Sequence, residues 1–184
     1  MAVRKIIRMG HPALRRPALT VSRDDLGSEA LHRLVADMID TLHDYGGIGL
    51  AAPQINEGIR LAIVEIPGGP TRYGRLAEQP LTVCVNPRIE VLDPVTEGHW
   101  EGCLSVPGLR GYVERPRGVR VSFVNLRGEE ERITADGFLA TVFQHEFDHL
   151  DGKLYIDHID DPHKLVFEEE YARYVLPLEE PTPK

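Results

Sequence analysis

The sequence predicts an α+β fold, with antiparallel β-sheets packed around a central helix, one helix near the N-terminus and one at the C-terminus. Strand-like runs follow one another through the middle of the chain and are joined by short turns, which is typical of antiparallel pairing. Apolar residues at helical spacing occur before and after these runs. The length of 184 residues and the 42% apolar content indicate a single domain, 1–184, with its own core.

Composition excludes several classes of protein. A net charge of −8 argues against binding to nucleic acid through bulk charge. No apolar run approaches the ~20 residues that span a bilayer, and residues 1–9 lack the apolar core of a secretory signal. Two cysteines, Cys84 and Cys103, do not make a disulfide framework. We therefore expect a cytoplasmic protein that contacts no membrane, and a mature organelle form fits the same observations.

The first elements are an extended arm and a helix. Prolines interrupt residues 6–20, which favours extended backbone with a turn. The segment from Gly27 to Asp44 is a predicted helix, with Ser28 as its N-cap and Gly46 just after its end.

Strands and two further helices follow. We expect a Gly- and Pro-rich loop from Pro67 to Pro80, a central helix that begins near Asp136 or Gly137, and a C-terminal helix from Asp161 to about Val175. The tail, about 177–184, is expected to be frayed. Strands are predicted at 60–66, 81–86, 88–92, 99–101, 118–126 and 129–134.

The central helix carries a His-Glu-x-x-His pattern within Gln144–Gly152. Residues four apart lie on one helix face, so His145 and His149 can direct two imidazoles at one ion. Glu146 lies outside this pair, where it suits a general base that acts on water at a metal. A solvated helix with two ordinary histidines is the alternative, but Phe147 and Leu150 indicate burial on more than one side.

Three candidates compete for a third metal ligand. The position that would extend the pattern locally is Tyr155, which is a poor ligand. Glu168–Glu170 lies downstream, where it would make a metalloprotease that cuts internal peptide bonds, although three acids on a helix more often form a solvated face. Cys103 lies upstream, in the irregular stretch Glu101–Pro107, and could instead be a small buried hydrophobic residue.

A second glycine-rich stretch, Gly47–Gln54, permits close approach of its backbone to another group. A phosphate-binding loop is the obvious alternative, but the stretch lacks the Lys-Ser/Thr ending and does not follow a strand. A plain turn from helix to strand is the other alternative.

Together, Gly47–Gln54, Glu101–Pro107 and Gln144–Gly152 resemble the three signature motifs of peptide deformylases, in the same order and at similar separations. The resemblance extends over about residues 4 to 175. It implies an enzyme that removes the N-formyl group from the N-terminal formylmethionine of new polypeptides and releases formate.

The resemblance also implies one divalent metal ion, held by Cys103, His145 and His149. Three protein ligands leave a position open, as in catalytic sites. The implied native ion is Fe(II), with Ni(II), Co(II) or Zn(II) as substitutes, since thiolate and imidazole accept all of these.

The same resemblance assigns the reacting groups. Water activated at the metal would attack the formyl carbon, with Glu146 as the general base and then the acid. The side-chain amide of Gln54 and the backbone N–H of Leu104 would stabilise the oxyanion. The backbone of Gly49 would pair with the substrate chain.

Helix spacing places Phe138 and Val142 on the face that carries the two histidines. With Ile48 and Leu104 they could enclose the methionine side chain, and the alternative is that both are simply core residues. Arg110 occupies the position of a family arginine that helps to organise the site and contacts the peptide, with an ordinary surface arginine as the alternative.

The implied partners are N-formylmethionyl nascent peptides and, transiently, the ribosome. Some relatives dock on the ribosome through a basic C-terminal helix, whereas the corresponding helix here is acidic at Glu168–Glu170.

Glu101 and Asp148 are candidates for acids that orient the metal ligands, or for ordinary ion pairs.

Overall fold

A computed structural model describes residues 2–71 and 74–176 of the chain. Most of the strands form one antiparallel sheet, in the order β1-β2-β5-β6-β7, with β8 on an edge of β6, and β3 pairs with β4 separately. The strands are β1 (Gly49–Ala51), β2 (Leu61–Ile66), β3 (Gly69–Thr71), β4 (Gly74–Leu76), β5 (Gln79–Cys103), β6 (Val106–Val124), β7 (Glu130–Asp136) and β8 (Leu165–Phe167).

One helix precedes the strands in the sequence, one follows β7 and one follows β8. They are α1 (Glu29–Asp44), α2 (Gly137–Leu150) and the short α3 (Glu168–Glu170), which continues as a π-helical turn, Tyr171–Val175. Short 3-10 turns occupy Pro12–Arg15, Ala52–Ile55, Tyr155–His158 and Pro162–Lys164. Within the described residues, no helix is long and apolar enough to cross a membrane.

The two long helices cover opposite faces of the sheet, and strand β2 shows why. Its side chains alternate in direction, so Leu61 and Ile63 pack in the cluster that contains α1, whereas Ala62 and Val64 pack with α2. All four are fully buried. Because β2 is apolar on both faces, α1 packs on one side of it and α2 on the other.

Helix α1 begins and ends where the sequence predicts. The Ser28 side chain accepts a hydrogen bond from the Leu31 backbone N–H at 3.1 Å, which caps the first turn. Gly46 follows the helix with a φ of +63°, the left-handed conformation that glycine adopts without strain. The chain then turns directly into the stretch that leads to β1.

The middle strands are longer than the sequence predicts. The expected strands at 81–86, 88–92 and 99–101 are parts of β5, and the strand at 118–126 is the second half of β6. The β5–β6 ladder shifts register on both sides of Asp93, next to Pro94, which has no N–H to donate. These bends let two long strands pair continuously, although the sequence pattern looks interrupted. The expected loop at 67–80 also contains the paired strands β3 and β4.

The expected C-terminal helix from Asp161 to Val175 is wrong in its first half. Asp161 does cap a turn, accepting a hydrogen bond from the His163 N–H at 2.9 Å, but the turn is a short 3-10 helix. The chain then forms β8, which pairs with residues 109–111 of β6, and helical backbone starts only at Glu168. Hydrogen bonds to an available sheet edge therefore outweigh the local helical preference of these residues. The predicted frayed tail, 177–184, lies outside the described residues.

Candidate active site

Helix α2 and the end of β5 bring together a thiol and two imidazoles. His145 and His149 lie one turn apart, with ring centroids separated by 5.2 Å. Cys103 ends β5, and its Sγ lies 3.3 Å from Nε2 of His149. One potential ligand atom from each of the three side chains lies within 4.8 Å of the other two. Throughout the described residues, no other group of three His, Cys, Asp or Glu side chains meets this criterion.

The other candidate ligands are engaged elsewhere. Glu168 forms an ion pair with Arg110, and Glu169 and Glu170 are exposed. The ring of Tyr155 is stacked on that of His145, with centroids 5.9 Å apart. The interpretation as a metalloprotease with a downstream Glu ligand therefore loses its third ligand.

A buried ion pair orients the first imidazole. Nδ1 of His145 donates to Oε2 of Glu101 at 2.7 Å, which leaves Nε2 as the available nitrogen. Glu101 also accepts from Arg115 at 2.6 and 3.1 Å, and both side chains are buried. Burial opposes ionisation of Glu101, but the hydrogen bonds from His145 and Arg115 outweigh it and lower its pKa. The carboxylate is therefore charged and holds the ring in one orientation.

Asp148 supports the same network from outside the cavity. It accepts hydrogen bonds from Arg115 and from His158, each at 2.8 Å. Burial would raise the pKa of Asp148, but these two partners lower it to about 2. Arg115 therefore bridges the two acids, Glu101 and Asp148, and it had not been singled out from the sequence.

Glu146 projects into the cavity as a buried carboxyl group. Only 5% of its surface is exposed, and this burial raises its pKa to about 7 against the opposing charges of His145 and His149. Within the part of the chain that is described, Oε2 of Glu146 has no hydrogen-bond partner. A methyl group at Gly49 would collide with this carboxyl group. The glycine therefore leaves the space that Glu146 occupies.

The 3-10 turn after β1 aims the Gln54 amide at the same point. Oε1 accepts from the Ala51 backbone N–H at 2.8 Å, which fixes the orientation of the amide. Nε2 then faces Sγ of Cys103 at 3.5 Å and Oγ of Ser105 at 3.3 Å. The side chain is 2% exposed. A fixed N–H donor thus lies beside the thiol and lines the cavity.

One cavity collects almost all of the residues that the sequence singles out. Its lining also includes Thr141, which was not predicted although it lies four residues before His145 on the same face. Cys103 and His145 line the cavity, and His149 completes their cluster. The other predicted residues in the lining are Ile48, Gly49, Gln54, Leu104, Phe138, Val142 and Glu146.

Comparison with known proteins decides the family. A sequence model described as polypeptide deformylase matches residues 3–165. The chain belongs to this family. It is 42% identical over 159 residues to the peptide deformylase of Leptospira biflexa, covering 86% of this chain and 89% of the relative. It is 44% identical over 165 residues to peptide deformylase 2 of Pseudomonas syringae pv. tomato, covering 90% and 92%.

Solved deformylase structures share the fold. The class I type b peptide deformylase from Acinetobacter baumannii with Met-Ala-Ser bound has a TM-score of 0.82 at 38% identity, covering 85% of this chain and 98% of that one. The peptide deformylase from Thermotoga maritima has a TM-score of 0.76 at 36% identity, covering 88% and 100%. These neighbours confirm the predicted α+β class.

Deformylases are metal-dependent enzymes, and the donor set of this chain fits a metal ion. Burial of the Cys103 thiol opposes its ionisation, but the charge of His149 and hydrogen bonds with His145 and His149 lower its pKa to about 5. A thiolate and two imidazoles are ligands that divalent transition metals accept.

Arg110 lies apart from the deformylase cavity and is not an ordinary surface arginine. It is 2% exposed, and its guanidinium covers Gly102, where a methyl group would lie 2.6 Å from Nη1. Nε and Nη2 both donate to Oε1 of Glu168. Arg110 therefore packs against Gly102 of the second motif and connects that motif to the C-terminal segment through Glu168.

Proposed function

We propose that this deformylase hydrolyses the N-formyl group of N-terminal formylmethionine on newly made polypeptides and releases formate. The observation that supports it best is the convergence of Glu146, Gln54 and the Cys–His–His cluster on one cavity with an apolar wall. An amide bond placed there would meet a base, an oxyanion donor and a metal site together.

Cys103, His145 and His149 would hold one divalent ion, natively Fe(II), for which Ni(II), Co(II) or Zn(II) can substitute. When bound, the ion acts as a Lewis acid that lowers the pKa of water and polarises the formyl carbonyl group. Glu101 supports this role because it keeps His145 in one orientation.

Glu146 moves the proton in the proposed reaction. Its buried carboxyl group has a pKa of about 7, which suits a group that must both accept and give up a proton near neutral pH. It would accept the proton of the attacking water and deliver it to the leaving amine. The space that Gly49 leaves open keeps its Oε1 within the cavity.

Gln54 and Leu104 would stabilise the oxyanion that forms on the formyl group. Nε2 of Gln54 already points at the cluster, and the Leu104 backbone N–H would be the second donor. Removing one such donor typically costs about 10²–10³ in rate.

The remaining cavity residues would select the substrate. Ile48, Phe138 and Val142 form an apolar wall that suits an unbranched apolar side chain such as methionine. The peptide backbone would add as a strand beside Gly49, because β1 lies at one edge of the sheet. Arg110 would act indirectly, through the position of Gly102.

The partners follow from the reaction. Formylated nascent chains are made in the bacterial cytoplasm and in organelles derived from bacteria, and the enzyme would work there. Its association with the ribosome would be transient and would not use α3, because that segment is acidic and Glu168 is engaged with Arg110.

The test is formate release from formyl-Met-Ala-Ser by protein loaded anaerobically with Fe(II) or Ni(II). We expect turnover, its loss in Glu146→Gln with metal still bound, and loss of metal in Cys103→Ala. Protein that binds metal but releases no formate would refute the proposed activity.

A further inference from the structure

Three rings lie in contact at the metal site. The ring of Tyr155 is nearly parallel to that of His145, with an interplanar angle of 19° and centroids 5.9 Å apart. The ring of His149 meets that of His145 edge-on, at 76° and 5.2 Å. Both separations are typical of aromatic pairs that attract each other. The plane of His145 is therefore bounded by a phenol ring and by the second imidazole.

The hydrogen bonds of the two imidazoles leave the tilt of their rings undetermined. Nδ1 of His145 bonds to Glu101, but one hydrogen bond holds one corner of a ring and permits its plane to rotate about that corner. Nδ1 of His149 is buried and has no hydrogen-bond partner among the described residues, although metal-bound histidines usually have one. The lone pair of Nε2 lies in the ring plane, so a tilted ring directs it away from an ion. Ring packing therefore supplies the orientation that the hydrogen bonds do not.

Tyr155 is itself firmly held. It is 1% exposed and begins the 3-10 turn Tyr155–His158 that follows α2. A methyl group at Gly111 of β6 would lie 2.7 Å from Cε2 of Tyr155, so the ring packs directly against the backbone of that strand. Strand β6 thus limits the movement of the ring, and a ring held in this way is a rigid neighbour for His145.

We propose that Tyr155 is a positioning residue for the metal site, and that its ring fixes the plane of His145 and, through the edge contact, that of His149. The inference rests on the proposed ligation of the ion by these two histidines. Tyr155 does not line the catalytic cavity, so it acts on the metal ligands and not on the substrate.

The first measurement is the rate at which Ni(II)-loaded protein loses its ion to excess EDTA. We expect Tyr155→Leu to release Ni(II) roughly three- to tenfold faster, the effect of losing one aromatic contact. Tyr155→Phe keeps the ring and should release the ion at the wild-type rate. If Tyr155→Leu does not fold, Tyr155→Met replaces it, because an unbranched side chain adapts to the space that the ring leaves.

Phe143→Leu is the matched control for the loss of a buried ring. Phe143 is fully buried in α2, and its ring packs on that of Phe147 at the same centroid distance of 5.9 Å. It lies two residues before His145, so the two side chains do not face each other. The Phe143→Leu protein should release Ni(II) at the wild-type rate.

The visible spectrum of the Co(II)-loaded protein reports the geometry of the ligands, which a loss of packing elsewhere would not change. Tyr155→Leu should shift or broaden these bands, whereas Tyr155→Phe and Phe143→Leu should leave them unchanged. With formyl-Met-Ala-Ser we expect Tyr155→Leu to lower kcat and to leave KM unchanged, because the substrate does not contact Tyr155.

The outcomes separate the inference from the proposed ligation. A wild-type release rate and spectrum in folded Tyr155→Leu, or equal acceleration in Phe143→Leu, would overturn the inference alone. A Tyr155→Phe protein that behaves like Tyr155→Leu would do the same, since the ring would not be the cause. Release of Ni(II) from His145→Ala at the wild-type rate would overturn the proposed ligation, and the inference with it. Far-UV circular dichroism shows whether each variant is folded.

Discussion

Arg110 donates two hydrogen bonds to a single oxygen of Glu168, from Nε at 3.1 Å and from Nη2 at 2.5 Å. The arginine side chain is 3% exposed and the glutamate side chain is 45% exposed, so a buried guanidinium pairs with a carboxylate at the protein surface. Because Arg110 also covers Gly102, this contact ties the C-terminal segment to the residue before the thiol Cys103. Glu168, one of the candidate metal ligands in the sequence, therefore stabilises the second motif through Arg110.

Removing this carboxylate should destabilise the protein. We expect Glu168→Ala to lower the free energy of unfolding by about 1–2 kcal/mol, less than for a fully buried pair, because Glu168 is half exposed. Urea unfolding measures the change. Glu169→Ala is the control, since Glu169 is exposed and adjacent. Additivity of Glu168→Ala and Arg110→Met in a double-mutant cycle would contradict a coupled pair.

The close approach of Gly49 to Glu146 gives a second prediction. A methyl group at Gly49 would collide with the carboxyl group, so Gly49→Ala should displace the proposed base. We expect kcat to fall by about 10²-fold or more, whereas metal content stays unchanged because no ligand is touched. Gly58→Ala is the control, since a methyl group there would have no heavy atom within 4 Å. Normal kcat in Gly49→Ala would argue against Glu146 as the base.

Metal removal should expose one of the two cysteines to modification. Cys84 is fully buried, and burial raises its pKa, so it should not react in the folded protein. Cys103 is only partly buried, and a bound metal would occupy its thiolate. We therefore expect a maleimide to label Cys103 after chelation and neither cysteine before it, as measured by peptide mass spectrometry. Equal labelling of Cys103 with and without metal would show that it is not a ligand.

The parts of the fold with a strong local pattern were predictable. Helix α1 has its cap at Ser28, and α2 carries the two histidines one turn apart, so sequence spacing alone determines both. Thr141 had a usable signal as well, because it precedes His145 by four residues on the same helix face.

Other parts depend on distant segments. The Glu101–Arg115 pair joins two long strands, and nothing near either residue in the sequence indicates the partner. Strand β8 forms because β6 presents an edge at residues 109–111, a tertiary contact that no local propensity encodes. The pairing of Arg110 with Glu168 follows from that strand. Cys103 became the preferred third ligand only through the resemblance to deformylases, since its local sequence fits a buried thiol equally well.

The apolar wall of the cavity gives the last prediction. Val142 is 5% exposed and lies three residues before His145 and seven before His149, on the same face of α2. A larger side chain should fill the space proposed for methionine, so Val142→Trp should raise KM for formyl-Met peptides. The smaller change Val142→Phe should raise KM to a lesser degree. It serves as a second test if Val142→Trp does not fold, since overpacking a core typically costs about 1–3 kcal/mol of stability. A formyl-Ala peptide, with a shorter side chain, should lose less in both variants. Unchanged KM for formyl-Met peptides in folded Val142→Trp would mean that Val142 belongs to the core alone.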